Sequence, residues 1–255
     1  MKVNLHTHTY RCHHATGADE DYVAAAIAAG YDKLGFADHT PLPYTSGFVN
    51  WDKMAPDELE GYLCSIAALR QRYAGQIPIY IGLECEAVER FFPYLRALRP
   101  QLDYMILGNH GDKEYEDFFG HMSRRQQLWH YLETAVKGME TGLFLYLAHP
   151  DLMLQWYPSF DETAAQVSRA LCREAKRLGV PLEYNLAGVS KGAPEGCLGY
   201  PCRQFWEIAA QENEQAVVGV DAHSPEALLR ADIPAAEQAL RQLGIEPLED
   251  PTTLL

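Results

Sequence analysis

No apolar run in the chain approaches the ~20 residues that a membrane-spanning helix needs, and its opening "MKVNLH" has no leader-like charge and apolar core. A cytoplasmic protein with no membrane partner is the expectation. Basic residues are scarce: 21 Lys and Arg stand against 35 Asp and Glu, a net charge of −14. A generic nucleic-acid binder needs a basic face, so bulk DNA or RNA is disfavoured as a partner. A small anionic substrate is not, because bound cations can dominate the local field. Cysteine is sparse too. The six (12, 64, 85, 172, 197 and 202) form no CxxC pair and no regular framework. Reduced, mostly buried thiols are expected, not disulfide staples. GxxxxGK[ST] and GxGxxG phosphate loops are absent, and a serine nucleophile on a strand-to-helix elbow is not expected. No linker, charge block or low-complexity segment divides the 255 residues, which reads as one domain over 1–255.

What is present is a repeated alternation. Seven short apolar runs read as buried strands: "KVNLH" (2–6), "KLGFAD" (33–38), "IPIYIGLE" (77–84), "DYMILGNH" (103–110), "LFLYLAH" (143–149), "VPLEYN" (180–185) and "AVVGVDAH" (216–223). Between them lie helical patterns. "DEDYVAAAIAAG" opens on acids and ends in Gly30, and "DETAAQVSRALCREAKRLG" carries apolar residues at three- and four-residue spacing before Gly179. Strands alternating with helices predict an α/β fold with a parallel sheet. Seven unbroken units predict a closed barrel.

Polar residues cluster at one end of this frame. His6, His8, Asp38, His39, Glu84, His110, His149, Asn185, Asp221 and His223 fall at or just past the C-terminal ends of the runs. In a βα barrel that rim carries the active site. Imidazoles and carboxylates are costly to bury, and their recurrence at one end needs a reason. In "HTH" the period-two geometry of a strand turns His6 and His8 to one side, and in "DAH" it does the same for Asp221 and His223. Such pairs chelate ions, imidazole suiting Zn, Fe or Mn and carboxylate oxygens able to bridge them. Of the ten histidines, seven (6, 8, 14, 39, 110, 149 and 223) are assigned to metal. His121 and His130 are expected on or near a helix surface, and His13 stays open.

The motifs "HTHTYRCHHA", "FADHTPLPY", "GLECE", "ILGNHG", "AHPDL", "LEYNLAG" and "GVDAHSPEAL" resemble, in order and spacing, those of the PHP family of metal-dependent phosphoesterases. The resemblance is nearest to the histidinol-phosphatase-like members and runs from residue 4 to about residue 230. It implies a distorted seven-stranded (β/α)7 barrel and three divalent ions (Zn, Fe or Mn). One ion would take His6, His8, Glu84 and Asp221. A second would take Glu84, His110 and His149, and a third His14, His39 and His223. Asp38 would sit behind a ligand and orient it, or form an ordinary ion pair. Asp151 is near the rim or caps a helix.

The implied chemistry is phosphomonoester hydrolysis by a metal-activated hydroxide, with L-histidinol phosphate as the expected substrate. Clustered cations make hydroxide available near neutral pH and neutralise phosphoryl oxygens. Asp221, His39 or a metal-held water would protonate the leaving alkoxide. Lys191, Asn185 and Arg203 are candidate substrate contacts, with Arg11 a weaker one. Ser190 before Lys191, where the family usually has a basic residue, and Asn109 in "ILGNHG" depart from the family pattern. They bear on the substrate and not on the metals. Two other readings stay open: a PHP phosphoesterase for another small ester or an oligonucleotide end, and a non-catalytic metal-binding domain. A degenerate remnant should have lost ligand positions, and none of the nine is missing. A Cys12–His nucleophile would leave the other rim residues unexplained. The aromatic 41–54 loop is either a wall of the site or a loop packed over a helix.

Overall fold

In the computed structural model of the protein, the described residues are 1–111 and 122–255. Six of the seven apolar runs become strands: β1 (Val3–Asn4), β2 (Lys33–His39), β3 (Ile79–Glu86), β4 (Tyr104–Gly108), β5 (Leu182–Asn185) and β6 (Ala216–Gly219). β1 to β4 form one sheet in chain order, and β5 pairs with β6. Every pairing is parallel. The middle strands are buried on both faces, which is why they read as nearly continuous apolar runs.

The expected strand at 143–149 is not a regular one. Its β-bridges centre on Leu147, which pairs with Leu107 of β4 on one side and Leu182 of β5 on the other. The run has the composition of a strand, but a left-handed turn at Gly142 precedes it and His149 (φ 33°) ends its extended path. Backbone hydrogen bonds still join it to both neighbours, from the Leu145 amide to the Met105 carbonyl (2.8 Å), from the Ala148 amide to the Leu107 carbonyl (2.9 Å) and from the Leu147 amide to the Pro181 carbonyl (2.9 Å), but they span too few residues for a regular strand. The sheet is therefore a curled parallel half-barrel of four plus two strands. At its other margin Thr7 bridges Ala222. The His8 amide donates to the Ala222 carbonyl at 2.9 Å, and the Ala222 amide donates to the His6 carbonyl at 3.1 Å. That exchange sets "HTH" beside "DAH".

The helices among the described residues are α1 (Asp19–Ala28), α2 (Leu59–Arg72), α3 (Phe92–Leu98), α4 (Arg124–Glu140), α5 (Glu162–Leu178), α6 (Leu186–Lys191), α7 (Arg203–Gln211), α8 (Pro225–Arg230) and α9 (Ile233–Leu243). α5 shows how locally they are specified. The Asp161 side chain accepts from the Ala164 amide at its start, and Gly179 (φ 67°) closes its end in the left-handed region where glycine carries no steric cost. Its buried face (Ala164, Val167, Leu171, Ala175) packs between α4 and α7. Inside the sheet's curve, the Tyr104 hydroxyl donates to the carbonyls of Leu5 (2.6 Å) and Phe36 (2.9 Å), tying three strands together. No described helix is long and apolar enough to cross a membrane.

Candidate metal centre

All nine residues expected to hold metal converge at the C-terminal ends of the strands, around Glu84. Its Oε1 lies 2.8 Å from His149 Nε2 and 3.7 Å from His110 Nε2. Its Oε2 lies 2.9 Å from His39 Nδ1 and 3.6 Å from both His6 Nε2 and His8 Nε2. Asp221 Oδ1 closes the other side, 3.1 Å from His8 Nε2 and 3.6 Å from His6 Nε2. The His223 and His14 Nε2 atoms meet at 2.9 Å. The His223 ring also stacks on His8 with centroids 4.0 Å apart. Asp221 and His149 hold positive φ (54° and 33°), a region uncommon for non-glycine residues though Asp and His enter it more readily than most.

A second tier of carboxylates sets the ring orientations. Glu183 Oε1 lies 2.8 Å from His6 Nδ1, and its Oε2 accepts from the His149 amide at 3.0 Å. Asp38 Oδ1 faces His8 Nδ1 at 3.4 Å, while Oδ2 accepts from the amide and hydroxyl of Thr9. Glu86 Oε1 lies 2.8 Å from His110 Nδ1. In each case a carboxylate on Nδ1 favours the tautomer whose Nε2 lone pair points into the cluster. Glu86 and its buried partner Lys53 escaped the sequence reading. "GLECE" offered the same two-residue spacing as "HTH", so Glu86 could have been found; nothing in the sequence marks Lys53.

The electrostatics have one theme. Burial opposes the charge of Glu84, yet His110, His39 and His6 outweigh it and hold the carboxyl well below the usual range. Asp221 is held down against burial by His6, His8 and His223. Burial also opposes protonation of His6, but Glu183, Asp221 and Glu84 carry it up to about 10. His223 goes the other way, to about 3, because of burial and the neighbouring His8. Carboxylates that draw protons onto imidazoles this strongly also draw divalent cations in their place.

The donor set fits such ions. His6 Nε2 and His149 Nδ1 are buried without a hydrogen-bond partner, and Glu84 Oε2 and His8 Nε2, though 2.9 Å from His39 Nδ1 and 3.1 Å from Asp221 Oδ1, lack a well-aligned one. Unpaired buried polar atoms are costly and need an explanation. His6, His8 and Glu84 form one group with metal-ligand spacing; His6, His149 and Asp221 form another, and His8, His39 and His223 a third. Cys12 also falls near His14 and His223.

The expected substrate contacts divide. Lys191 lines the cleft of about 1580 Å³ above the cluster, with Lys53, Arg124 and Arg230. Asn185 is fully buried and turned inward, its Nδ2 donating to Glu183 Oε2 (2.9 Å) and Asp221 Oδ2 (3.2 Å). Arg203 is 81% exposed, paired with Glu207 along α7, and lies outside the cleft lining. Arg11 is buried against Asp19. Asp151 accepts from the Cys202 amide and the Trp206 indole, away from the cluster. His13 is exposed beside the Trp51 carbonyl, and His130 lies half-buried on α4, as expected of a helix position, where it also lines the cleft. His121 lies outside the described residues. Ser190 does stand in a GxSxG string, Gly188 to Gly192, that the sequence reading passed over. It lies within α6 and not on a sharp elbow. The 41–54 loop packs by Leu42 and Met54, with Tyr44 edge-on to Phe91, and only its Asp52 and Lys53 reach the cleft.

A family model described as the PHP domain matches residues 4–187. A Deinococcus radiodurans protein named "Probable histidinol-phosphatase" is 31% identical over 231 residues, covering 86% of this chain and 85% of that one. A Bacillus subtilis histidinol-phosphatase is 24% identical, covering 88% and 94%. Among solved structures, a Lactococcus lactis histidinol phosphate phosphatase complexed with Zn, L-histidinol and phosphate superposes with a TM-score of 0.73. It is 17% identical and is matched over 97% of this chain and 95% of that one.

Proposed function

Because this chain belongs to the PHP domain family, we propose that it is a metal-dependent phosphomonoesterase that converts L-histidinol phosphate and water to L-histidinol and phosphate. The convergence of five imidazoles on Glu84, with Asp221, His223 and His14 beside them and buried acceptors left unpaired, carries this reading. The relatives named as histidinol-phosphatases support the choice of substrate.

Three divalent ions of the Zn, Fe or Mn type would be held. The groups are His6, His8, Glu84 and Asp221, then Glu84, His110 and His149, then His14, His39 and His223. Bound there, such ions would make a nucleophile of water near neutral pH and neutralise charge on phosphoryl oxygens. The chain's own groups do the rest. Glu183, Asp38 and Glu86 hold His6, His8 and His110 in the required tautomers. Lys191, which lines the cleft wall, is the candidate to meet the phosphate. Asp221 and His39 border the same cleft and are the candidates to pass a proton to the leaving alkoxide.

Metal removal tests the reading. Chelator-stripped protein is expected to lose phosphatase activity and to regain it with Zn, Mn or Fe. His8→Ala should stay folded yet recover less than about a hundredth of the restored rate, as several kcal/mol of metal stabilisation implies. Full turnover in stripped protein, or in the variant, would sink the proposal.

A further inference from the structure

Lys53 is a buried lysine near the end of the 41–54 loop, and its Nζ lies 2.5 Å from Glu86 Oε1. Burying an ammonium and a carboxylate together rarely adds stability over an apolar pair, so such a pair calls for another role. Glu86 shows what that role is. Its Oε1 is shared between Lys53 Nζ and His110 Nδ1, and its Oε2 accepts from the His110 amide at 2.9 Å. The carboxylate thus grips His110 by ring and backbone at once. Lys53 fixes the carboxylate from the far side. A second contact of Lys53 runs to His39 Nδ1 at 3.4 Å, the nitrogen that faces Glu84 Oε2.

We propose that Lys53 is a positioning residue of the metal centre, through which the 41–54 loop holds Glu86, and with it His110, in register with Glu84. The inference rests on the metal reading above. Lys53 acts through Glu86, so the two side chains should behave as one unit: removing either should free the His110 ring and weaken the ion it helps to hold. A lysine that instead contacted substrate phosphate would leave metal affinity unchanged and raise KM.

The test uses the full chain as wild type, Lys53→Met, Lys53→Arg, Glu86→Gln and the double variant Lys53→Met/Glu86→Gln. Zn affinity is read by competition with a fluorescent chelator, beside kcat and KM for phosphate release. Lys53→Met and Glu86→Gln are each expected to weaken one Zn equivalent by about 10- to 100-fold, the usual cost of losing a group that orients a ligand. The double variant should be no worse than Glu86→Gln alone, and Lys53→Arg should stay within a few-fold of wild type. Multiplying losses in the double variant would overturn the inference, as non-interacting sites add. So would Lys53→Met with wild-type Zn affinity and a raised KM. If Lys53→Met does not fold, Glu86→Gln with unchanged Zn affinity still overturns it. A wild-type chain that binds no Zn would overturn the metal reading itself, a distinct result.

Discussion

Glu84→Gln is expected to cost at least ~10³-fold in kcat/KM, since charge stabilisation by bound ions is worth several kcal/mol and each ~1.4 kcal/mol is a factor of ten. The substitution keeps the size of the side chain and removes its charge. Glu84 is the residue that faces both halves of the cluster, with one oxygen toward His149 and His110 and the other toward His39, His6 and His8. A glutamine nitrogen in either position would aim hydrogens at imidazole nitrogens that ought to be lone-pair donors to cations. Metal content per chain should therefore fall together with the rate, while the fold persists. The check is elemental analysis of dialysed protein beside steady-state kinetics. A variant with full metal content and a rate within tenfold of wild type would remove Glu84 from the centre of the account.

Gly219→Ala is expected to damage the same site without touching any ligand. A Cβ at this position would stand 1.8 Å from Glu183 Oε1 and 2.5 Å from its Cδ. Glu183 cannot step aside cheaply. It is fully buried, and its two oxygens serve the His6 ring, the His149 amide and the Asn185 amide. Overpacking alone costs about 1–3 kcal/mol, and a buried carboxylate parted from its partners adds to that. A loss of roughly 3 kcal/mol should lower Tm by about 6–12 °C in a chain of this size. Zn affinity should fall about 10- to 100-fold, because the His6 ring loses its orienting carboxylate. Thermal melts with and without Zn measure both effects. A melt and an affinity both equal to wild type would show that Glu183 is not the support described here.

The ligand set was legible because it breaks a rule that sequences otherwise keep. Polar residues that are costly to bury stand at the ends of apolar runs, and period-two spacing assigns His6 with His8, and Asp221 with His223, to common faces. The same period would have marked Glu86 beside Glu84, but the sequence reading did not name it. Lys53 was illegible for a physical reason: the 41–54 loop has no periodicity, so nothing local fixes where its one buried ammonium goes. Asn185 and Arg203 show the converse limit. One is spent on Glu183 and Asp221 inside the fold, and the other points away along α7. Side-chain direction at a strand end or a helix start depends on tertiary packing, which a run of letters does not carry. The 143–149 segment fails as a strand for a similar reason. Its composition is right and it hydrogen-bonds to both neighbours between Leu145 and Ala148, but backbone turns at Gly142 and His149 keep that contact too short for a regular strand.

The most direct test of the account is the kcat/KM for phosphate release from L-histidinol phosphate. It should be set beside a panel of small phosphate monoesters and a phosphodiester, with Zn, Mn or Fe supplied to stripped protein. The account predicts metal-dependent turnover that favours histidinol phosphate by about 10²-fold or more, the range that shaped and polar pockets reach. Equal turnover across the monoesters would contradict the proposed substrate while leaving the metal centre in place. No turnover of any ester with any of these metals would contradict the reading of the site as a phosphatase.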